Sequence, residues 1–406
     1  MAHNGDSKSG QGLEAQRLTR SRKLIYAAVT AATLLLLIEA AVRISLPYLD
    51  FVEWKTHLAE HVYSRPDRGD MIHYVYDPHY NFKLEPGSYR TKNGELWEIN
   101  ELGLRGPVPA QKKAPGSVRV LVLGASATFN GSPVTGVTWP ELLERRLEAR
   151  TGLDCEVINA ATPGYTLYQS GRRLRFELMD YEPDLVIVNH LWNGMKLFAL
   201  EDPEEMIALW EVYGKDPDNV FAINTNQFLR TVTRWSQAVA YFRSRIILAH
   251  LKRARLMQEG RLYQDTDHEA TPAGLAFFRR NLEYIVETVV PRGIPLVIVK
   301  QATLVRPDNT PRERAKIQYR YVGMDHEALV AAYTAAWAIE DELCRQPGVF
   351  CLDAAAHVPP TLEYFTDAVH LTDPGREALA EYLDDGLARR FGDMREFAGK
   401  PGAVGE

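Results

Sequence analysis

The sequence predicts an α/β fold built on a five-stranded parallel sheet. Between residues 118 and 391, short runs of Val, Ile and Leu alternate with segments of helical periodicity. The apolar runs are 118–123, 155–159, 184–189, 294–300 and 349–353. Continuous apolar strands that alternate with helices are typical of a parallel sheet covered on both faces. Such a sheet binds ligands at the carboxyl ends of its strands, near the point where strand order reverses.

Capping residues and apolar periodicity mark the helices between these strands. Thr138 and Pro140 open a helix after the first strand, and Thr372 and Pro374 open the last helix, which runs to about Phe391. Further helices are predicted near 167–180, 275–290 and 325–345. Each of them lies between two strands or directly precedes one, as crossover connections of a parallel sheet require.

The composition excludes several classes of protein. With 47 basic and 53 acidic residues among 406, the chain lacks the general basicity of a nucleic-acid binder. Three cysteines are too few for a disulfide scaffold. Cys344 and Cys351 flank a short predicted helix-to-strand connection, where they can form a disulfide in an exported domain or remain two buried thiols. Cys155 lies in an apolar strand and is predicted to be part of the core.

The N-terminus has the pattern of a signal anchor. Residues 1–23 form a polar tail of charge +3, and residues 24–42 are apolar except for Glu39. Nineteen helical residues span about 28 Å, close to the ~30 Å of a bilayer core. The basic flank predicts a cytoplasmic N-terminus, one membrane pass over residues 24–46 and a catalytic domain outside, in the periplasm or the extracellular space. The alternatives are a cleaved signal peptide and a buried helix. Glu39 can pair with Arg43 or reach the headgroups.

An aromatic-rich collar is expected over residues 47–117, between the membrane and the catalytic domain. Within it, residues 89–99 predict a β-hairpin, because Asn93-Gly94 suits the two central positions of a type I′ turn. The collar also contains a His-x-x-Glu-His sequence at 57–61, an inverted zinc-protease pattern. We favour a juxtamembrane helix with two exposed imidazoles there, and no metal.

A long insertion separates the third and fourth strands, over about residues 195–274. Apolar residues recur at helical spacing within 228–255, and this segment is also rich in arginine and lysine. Two interpretations remain open: a lid or membrane-facing helix, or a helix packed on the domain with a solvated basic face. Residues 392–406 are predicted to form a flexible tail.

Two short segments supply residues for nucleophilic catalysis. Ser126 comes just after the first strand, on a turn that Gly124 allows to be tight. Asp367 and His370 stand three apart on a loop before the last helix, so the carboxylate can orient the imidazole. An imidazole held in this way can accept the proton that a serine must lose to attack a carbonyl group.

Two other strand ends supply hydrogen-bond donors. Gly164 follows the second strand and can present an unobstructed backbone N–H, while Asn193 follows the third strand and can donate from its amide. With the N–H of Ser126, these groups can form an oxyanion hole. All these elements come at the same edge of one predicted sheet, and this convergence indicates acyl-transfer chemistry.

In this order the segments resemble those of the SGNH/GDSL hydrolases. They are GASAT at 124–128, NAATPGYT at 159–166, PDLVIVNHLWN at 183–193 and DAVHLT at 367–372. Residues 100–107 also resemble the lead-in of membrane-anchored bacterial members. The resemblance implies a flavodoxin-like three-layer α/β/α sandwich over 118–391, with Ser126 as nucleophile, His370 as general base, Asp367 as its orienter, and Gly164 and Asn193 as oxyanion donors. It implies neither metal nor cofactor.

The sequence departs from the family pattern at two places. Ala125 replaces the usual Asp of the first segment, which is not a triad member. His190-Leu191-Trp192 replaces a Gly/Thr-rich lead to Asn193, and Trp192 is expected to narrow the acyl pocket. His190 is expected to make a local structural hydrogen bond rather than to shuttle protons. Asn189 falls within the strand and is the poorer candidate donor.

The favoured function is a serine esterase of the cell envelope that acts on carbohydrate O-acetyl or lipid esters. An O-acyltransferase acting on an exported polysaccharide would use the same residues, so the sequence does not separate the two. A non-catalytic scaffold of the same fold is the third hypothesis. The expected partners are an ester substrate and the membrane, through residues 24–46, and not nucleic acid.

Overall fold

A computed structural model of the chain describes residues 19–45, 74–77, 79–90, 96–129, 137–204, 207, 236, 238–239, 241–242 and 266–398. Four short strands precede the main sheet: β1 (Tyr74–Asp77), β2 (Asn81–Leu84), β3 (Gly87–Arg90) and β4 (Leu96–Ile99). The main sheet contains β5 (Val118–Gly124), β6 (Cys155–Asn159), β7 (Leu185–Asn189), β8 (Leu296–Lys300) and β9 (Val349–Asp353). Each of these five lies within two residues of its predicted start.

The main sheet is entirely parallel and has the strand order β6-β5-β7-β8-β9. The order reverses between β5 and β7, where a doubly wound sheet opens its ligand crevice. The register places Gly124, the last residue of β5, opposite Asn189, the last residue of β7. The predicted α/β fold with its five-stranded parallel sheet is therefore confirmed, and the residues after β5 and β7 lie at the crevice.

The described helices are α1 (Arg20–Ser45), α2 (Ser126–Phe129), α3 (Trp139–Thr151), α4 (Leu167–Phe176), α5 (Trp192–Met195), α6 (Pro272–Val289), α7 (Pro311–Arg314), α8 (Tyr319–Val322), α9 (His326–Leu343), α10 (Ala354–His357), α11 (Asp373–Phe391) and α12 (Arg395–Ala398). On the sheet, α3 packs against α11 and β6, while α6 packs against α4 and α9. Every residue of β5 and β7 is buried, as expected for central strands with helices on both faces.

The long helices begin where the sequence places their caps. Thr138 forms a capping box with Glu141 at the start of α3, and the Thr372 side chain accepts from the N–H of Gly375 at the start of α11. A Cβ atom at position 375 would lie 2.2 Å from the carbonyl oxygen of Tyr364. Glycine therefore lets α11 begin directly against the loop that carries His370.

The N-terminal helix α1 has 26 residues, none of them buried, and it contains an 18-residue window with a mean hydropathy of 2.1, so it is long and apolar enough to cross a membrane. Near its C-terminal end, Glu39 Oε1 accepts from Arg43 Nε at 2.7 Å, which is the predicted pair. Its other oxygen, Oε2, accepts from Ser236 Oγ at 2.7 Å and from the Ala238 N–H at 3.0 Å. This carboxylate thus links the apolar helix to the insertion.

The strands β3 and β4 form an antiparallel pair, but its register differs from the predicted one. A two-residue turn at Asn93-Gly94 would place Arg90 opposite Trp97, whereas Arg90 lies opposite Leu96. The turn itself lies outside the described residues. In the observed register Tyr89 is opposite Trp97, so both rings share the face that packs toward Phe129. A shift by one residue would move one ring to the other face, so packing decides the register.

The predicted flexible tail is wrong for residues 392–398. Met394 and Phe397 are buried, and the carbonyl oxygen of Phe397 accepts from Lys113 Nζ at 3.2 Å. These two apolar side chains anchor α12 to the domain. Residues 1–18, 46–73, 399–406 and most of 228–255 lie outside the described residues, and with them the His-x-x-Glu-His sequence and most of the basic amphipathic segment.

Cys344 and Cys351 form a disulfide that joins the end of α9 to β9, with Cα atoms 5.7 Å apart. Of the two interpretations left open by the sequence, a disulfide or two buried thiols, the structure therefore has the disulfide. Cys155 is a buried free thiol in the core. The disulfide closes a loop with a sequence separation of 7 and so restricts the unfolded chain.

Replacing both Cys344 and Cys351 with Ser is expected to lower the free energy of unfolding by about 2–3 kcal/mol, because the closed loop no longer limits the entropy of the unfolded state. Denaturant titration of both proteins under non-reducing conditions measures the difference. Adding reductant should bring the wild type to the level of the double variant. Equal midpoints without reductant would contradict the prediction.

Glu340 on α9 gives the fold a pH dependence. Its side chain is buried, and burial raises the pKa of its carboxyl well above the usual range, although Lys300 opposes the shift. Asp341 and Asp353 raise the pKa further. The folded state therefore binds this proton more tightly than the unfolded state, whose glutamate pKa is about 4.3. Linkage then lowers stability as pH rises from that value through the pKa of the folded state.

A Glu340→Gln variant cannot lose this proton, so its stability should fall less than that of the wild type as pH rises from about 4 to 8. Denaturant midpoints of the two proteins across this range measure the effect. Glu327→Gln, which changes an exposed carboxyl near the start of the same helix, serves as the control. Parallel curves for wild type and Glu340→Gln would refute the assignment.

Candidate active site

The turn that carries Ser126 is held by a close contact between Gly124 and Thr128. A Cβ atom at position 124 would lie 2.3 Å from Thr128 Oγ1, so only glycine lets α2 fold back onto the end of β5. Ser126 is the first residue of α2, and it is partly exposed while its neighbours Ala125 and Ala127 are buried. The GASAT segment thus presents one hydroxyl at the sheet edge.

Asparagines at the ends of two neighbouring strands fix this turn. Asn189 Nδ2 donates to Thr128 Oγ1 at 3.2 Å, and Asn159 Nδ2 donates to the Thr128 carbonyl at 3.4 Å. The N–H of Thr162 donates to the carbonyl of Gly124 at 3.2 Å. Sequence reasoning did not identify Thr128. The signal was its place in GASAT, together with an asparagine at the end of each flanking strand.

The Asp367–His370 loop is a tight turn stabilised by its own carboxylate. Asp367 Oδ1 accepts from the N–H groups of Val369 and His370, each at 2.9 Å. The carbonyl of Ala368 accepts from Thr303 Oγ1 and the Leu304 N–H, also at 2.9 Å, which fastens the turn to the segment after β8. The loop is therefore rigid on both sides of the imidazole.

The structure brings Ser126, His370 and Asp367 into one hydrogen-bonded chain. His370 Nδ1 is 2.7 Å from Asp367 Oδ2, and His370 Nε2 is 2.9 Å from Ser126 Oγ, across 244 residues of sequence. Burial alone would raise the pKa of Asp367. The hydrogen bond and the charge of His370, together with the backbone N–H groups of Val369 and His370, instead hold this pKa below its usual range. The ionised carboxylate favours a proton on Nδ1 and leaves Nε2 to accept from the serine.

The three predicted oxyanion donors lie on segments that touch this turn. Ser126 contributes an N–H at the start of α2, and Gly164, at φ +86°, is exposed on the loop after β6. Asn193 on α5 donates from Nδ2 to the carbonyl of Tyr165 at 3.0 Å. The chain thus connects Gly164 directly to the carbonyl that holds Asn193. A left-handed φ at position 164 favours glycine, even though the space there is open.

Trp192 and His190, which precede Asn193 in the chain, are both buried and make specific side-chain contacts. Trp192 is buried, and its ring stacks on Tyr321 with 5.8 Å between centroids and 10° between planes. His190 makes the expected structural hydrogen bond, with Nε2 2.8 Å from Ser170 Oγ. Burial lowers the pKa of His190 to about 3, so the imidazole is neutral. It lines a largely apolar cavity of about 310 Å³, including space open to solvent, together with Phe198 and other residues.

Residues that precede the main sheet also support the site. Tyr74 on β1 contacts the loop before Gly164, with its hydroxyl 3.4 Å from the carbonyl of Pro163. Phe82 on β2 packs edge-on against both Tyr74 and Tyr165, at centroid distances of 5.2 and 5.1 Å. The predicted collar therefore backs the loop that carries Gly164, one of the predicted oxyanion donors. Among the described residues, no cluster of three or more His, Cys, Asp or Glu residues is arranged to hold a metal ion.

No family model and no curated protein matches this chain. Solved structures of similar fold include a lipase/acylhydrolase from Enterococcus faecalis, at 16% identity and a TM-score of 0.38, with 67% of this chain and 96% of that chain covered. A carbohydrate acetylesterase family member from Sinorhizobium meliloti has 15% identity and a TM-score of 0.39, with 68% and 99% covered. The M. smegmatis aryl esterase has 15% identity and a TM-score of 0.38, with 67% of this chain and 99% of that chain covered.

At identities near 15% and TM-scores of 0.38 and 0.39, these similarities carry no argument about function. We therefore base the functional proposal on the arrangement of Ser126, His370 and Asp367.

The oxyanion assignment predicts that Asn193→Ala lowers kcat for ester hydrolysis by ~10²–10³, with KM little changed, because the donor acts on charge that develops in the transition state. Steady-state kinetics of the purified full-length protein measure both constants. Asn281→Ala is the matched control, since the Asn281 amide is also buried but donates to a helix carbonyl, that of Phe277, at 2.8 Å. A rise in KM with kcat unchanged would argue against the assignment.

Proposed function

We propose that this protein is a serine hydrolase of the SGNH/GDSL kind, which cleaves carboxylic esters through an acyl-serine intermediate. The observation that carries the proposal is the continuous chain of hydrogen bonds from Ser126 Oγ through His370 to Asp367, at 2.9 and 2.7 Å. Such a chain, at the reversal point of a parallel sheet, supplies a nucleophile, a general base and a group that orients the base.

In acylation, Ser126 Oγ attacks the ester carbonyl carbon while its proton moves to His370 Nε2. Negative charge then develops on the carbonyl oxygen, which the N–H groups of Ser126 and Gly164 and the amide of Asn193 stabilise. The ester C–O bond breaks as the imidazolium returns the proton to the departing alcohol. Asp367 stays ionised throughout and stabilises the positive imidazolium.

In deacylation, a water molecule takes the place of the alcohol. His370 Nε2 accepts a proton from this water as its oxygen attacks the acyl carbon, and the same donors bind the second oxyanion. The acyl–Oγ bond breaks, the proton returns to Ser126 and a carboxylic acid leaves. Because an alcohol acceptor can replace water in this step, added glycan acceptors distinguish transfer from hydrolysis.

We further propose that α1 anchors the protein in the membrane, with the N-terminus inside and the hydrolase outside the cytoplasm. The basic residues that precede the apolar segment support this orientation. So does the Cys344–Cys351 disulfide, since such bonds persist in oxidising compartments. An active site in the cell envelope would then meet exported glycans or lipids.

The proposed function predicts that Ser126→Ala abolishes hydrolysis of p-nitrophenyl acetate, butyrate and octanoate by the full-length protein in detergent. It should also abolish covalent labelling by a serine-directed phosphonate, because no other residue takes the place of the nucleophile. Equal turnover in the two proteins, or no turnover and no labelling in either, would refute the proposal. The profile over the three esters measures the preferred acyl length.

Ser170→Ala is the matched control for this experiment. Ser170 is also hydrogen-bonded to an imidazole, that of His190, but both residues are buried and no carboxylate is hydrogen-bonded to this imidazole among the described residues. The Ser170→Ala protein is therefore expected to keep both turnover and labelling. If it lost labelling as Ser126→Ala does, the reactive serine would have been assigned to the wrong pair.

A further inference from the structure

An asparagine side chain serves as an oxyanion donor only in one of two orientations. The oxygen and nitrogen ends of its amide have nearly the same shape, but only Nδ2 can donate. If the amide of Asn193 turned over, Oδ1 would point toward the developing negative charge and destabilise it. Some contact must therefore select the productive orientation.

Two contacts of Asn193 act together in this selection. Its Nδ2 donates one hydrogen to the carbonyl of Tyr165 at 3.0 Å, and a carbonyl can only accept. Its Oδ1 accepts from the hydroxyl of Tyr321 at 2.8 Å. Nδ2 carries two hydrogens, so this arrangement leaves the second one for the substrate. Both contacts are consistent with the same orientation of the amide.

The ring of Tyr321 has an aromatic neighbour, Trp192, and a cationic one, Lys196. Tyr321 lies on the short helix α8, which is 128 residues from Asn193 in sequence. Its ring stacks nearly parallel to that of Trp192. The backbone N–H of Trp192 in turn donates to Gln301 Oε1 at 2.9 Å. The ammonium group of Lys196 lies 5.9 Å from the ring centroid. The phenol is thus brought to Asn193 by a separate, packed segment.

We propose that Tyr321 is a positioning residue, whose hydroxyl holds Oδ1 of Asn193 in place while the carbonyl of Tyr165, which can only accept, keeps Nδ2 on the side of the oxyanion. This inference rests on the proposed function. It also explains the departure of this chain at residues 190–192, because Trp192 provides the surface on which Tyr321 stacks. The aromatic residue before Asn193 therefore supports the proposed donor through its contact with Tyr321.

The test is Tyr321→Phe, which keeps the stacked ring and removes only the hydroxyl. We expect kcat to fall about three- to tenfold with KM nearly unchanged, as for the loss of one hydrogen bond that matters in the transition state. Tyr319→Phe is the matched control. It removes a phenolic hydroxyl from the same helix, but this hydroxyl is hydrogen-bonded to His326 Nδ1, at 2.9 Å.

A double-mutant cycle separates positioning from a general structural role. If Tyr321 acts through Asn193, Tyr321→Phe should cause no further loss of kcat in the Asn193→Ala background. The same fold loss in both backgrounds, or an equal loss in Tyr319→Phe, would overturn the proposal. So would an unchanged kcat in Tyr321→Phe alone.

A spectroscopic measurement tests the contact without relying on activity. In protein labelled with isotopic nitrogen at asparagine, the signal missing from Asn193→Ala identifies the side-chain amide of Asn193. Tyr321→Phe should shift this signal and speed its exchange with solvent, whereas Tyr319→Phe should leave it unchanged. An unchanged signal in Tyr321→Phe overturns the positioning role. Failure of the proposed function would appear separately, as equal turnover of wild type and Ser126→Ala.

Discussion

The packing of Thr128 against Gly124 is the constraint on which the active site depends. Position 124 has no room for a Cβ atom. Because the residue there is glycine, β5 can end and α2 can begin within two residues. The same threonine accepts hydrogen bonds from the asparagines that end β6 and β7. One short turn thus joins three strand ends, and the position of Ser126 relative to the neighbouring donors follows from that junction.

Around this junction, the other elements of the proposed active site are held by local turns that are hydrogen-bonded to segments at the sheet edge. The Asp367 carboxylate closes its own loop and orients His370, and Ala368 ties that loop to the segment after β8. Asn193 is held on both ends of its amide. Preorganisation of this kind means that little reorganisation is needed when charge develops on the substrate.

Two serine–histidine pairs in this chain show how environment decides chemistry. Ser126 and His370 lie at a partly open sheet edge, and an ionised carboxylate holds the imidazole. Ser170 and His190 make a hydrogen bond of similar length inside the domain, where burial keeps the imidazole neutral. The first pair has an orienting anion and is partly exposed, whereas the second is a buried pair of polar groups that are hydrogen-bonded to each other.

Local patterns in the amino-acid sequence were enough to predict the strands and helices of the main sheet and the caps of α3 and α11. They also marked the segments that carry Ser126, Gly164, Asn193, Asp367 and His370. These features are encoded locally, in side-chain periodicity and turn chemistry, and parallel strands then bring their carboxyl ends together. Four features became visible only in the folded chain: the β3–β4 register, the docking of α12, the Ser170–His190 pair and the contact of Tyr321 with Asn193. Each of these depends on packing between segments far apart in the chain, where local preference is silent and burial selects the arrangement.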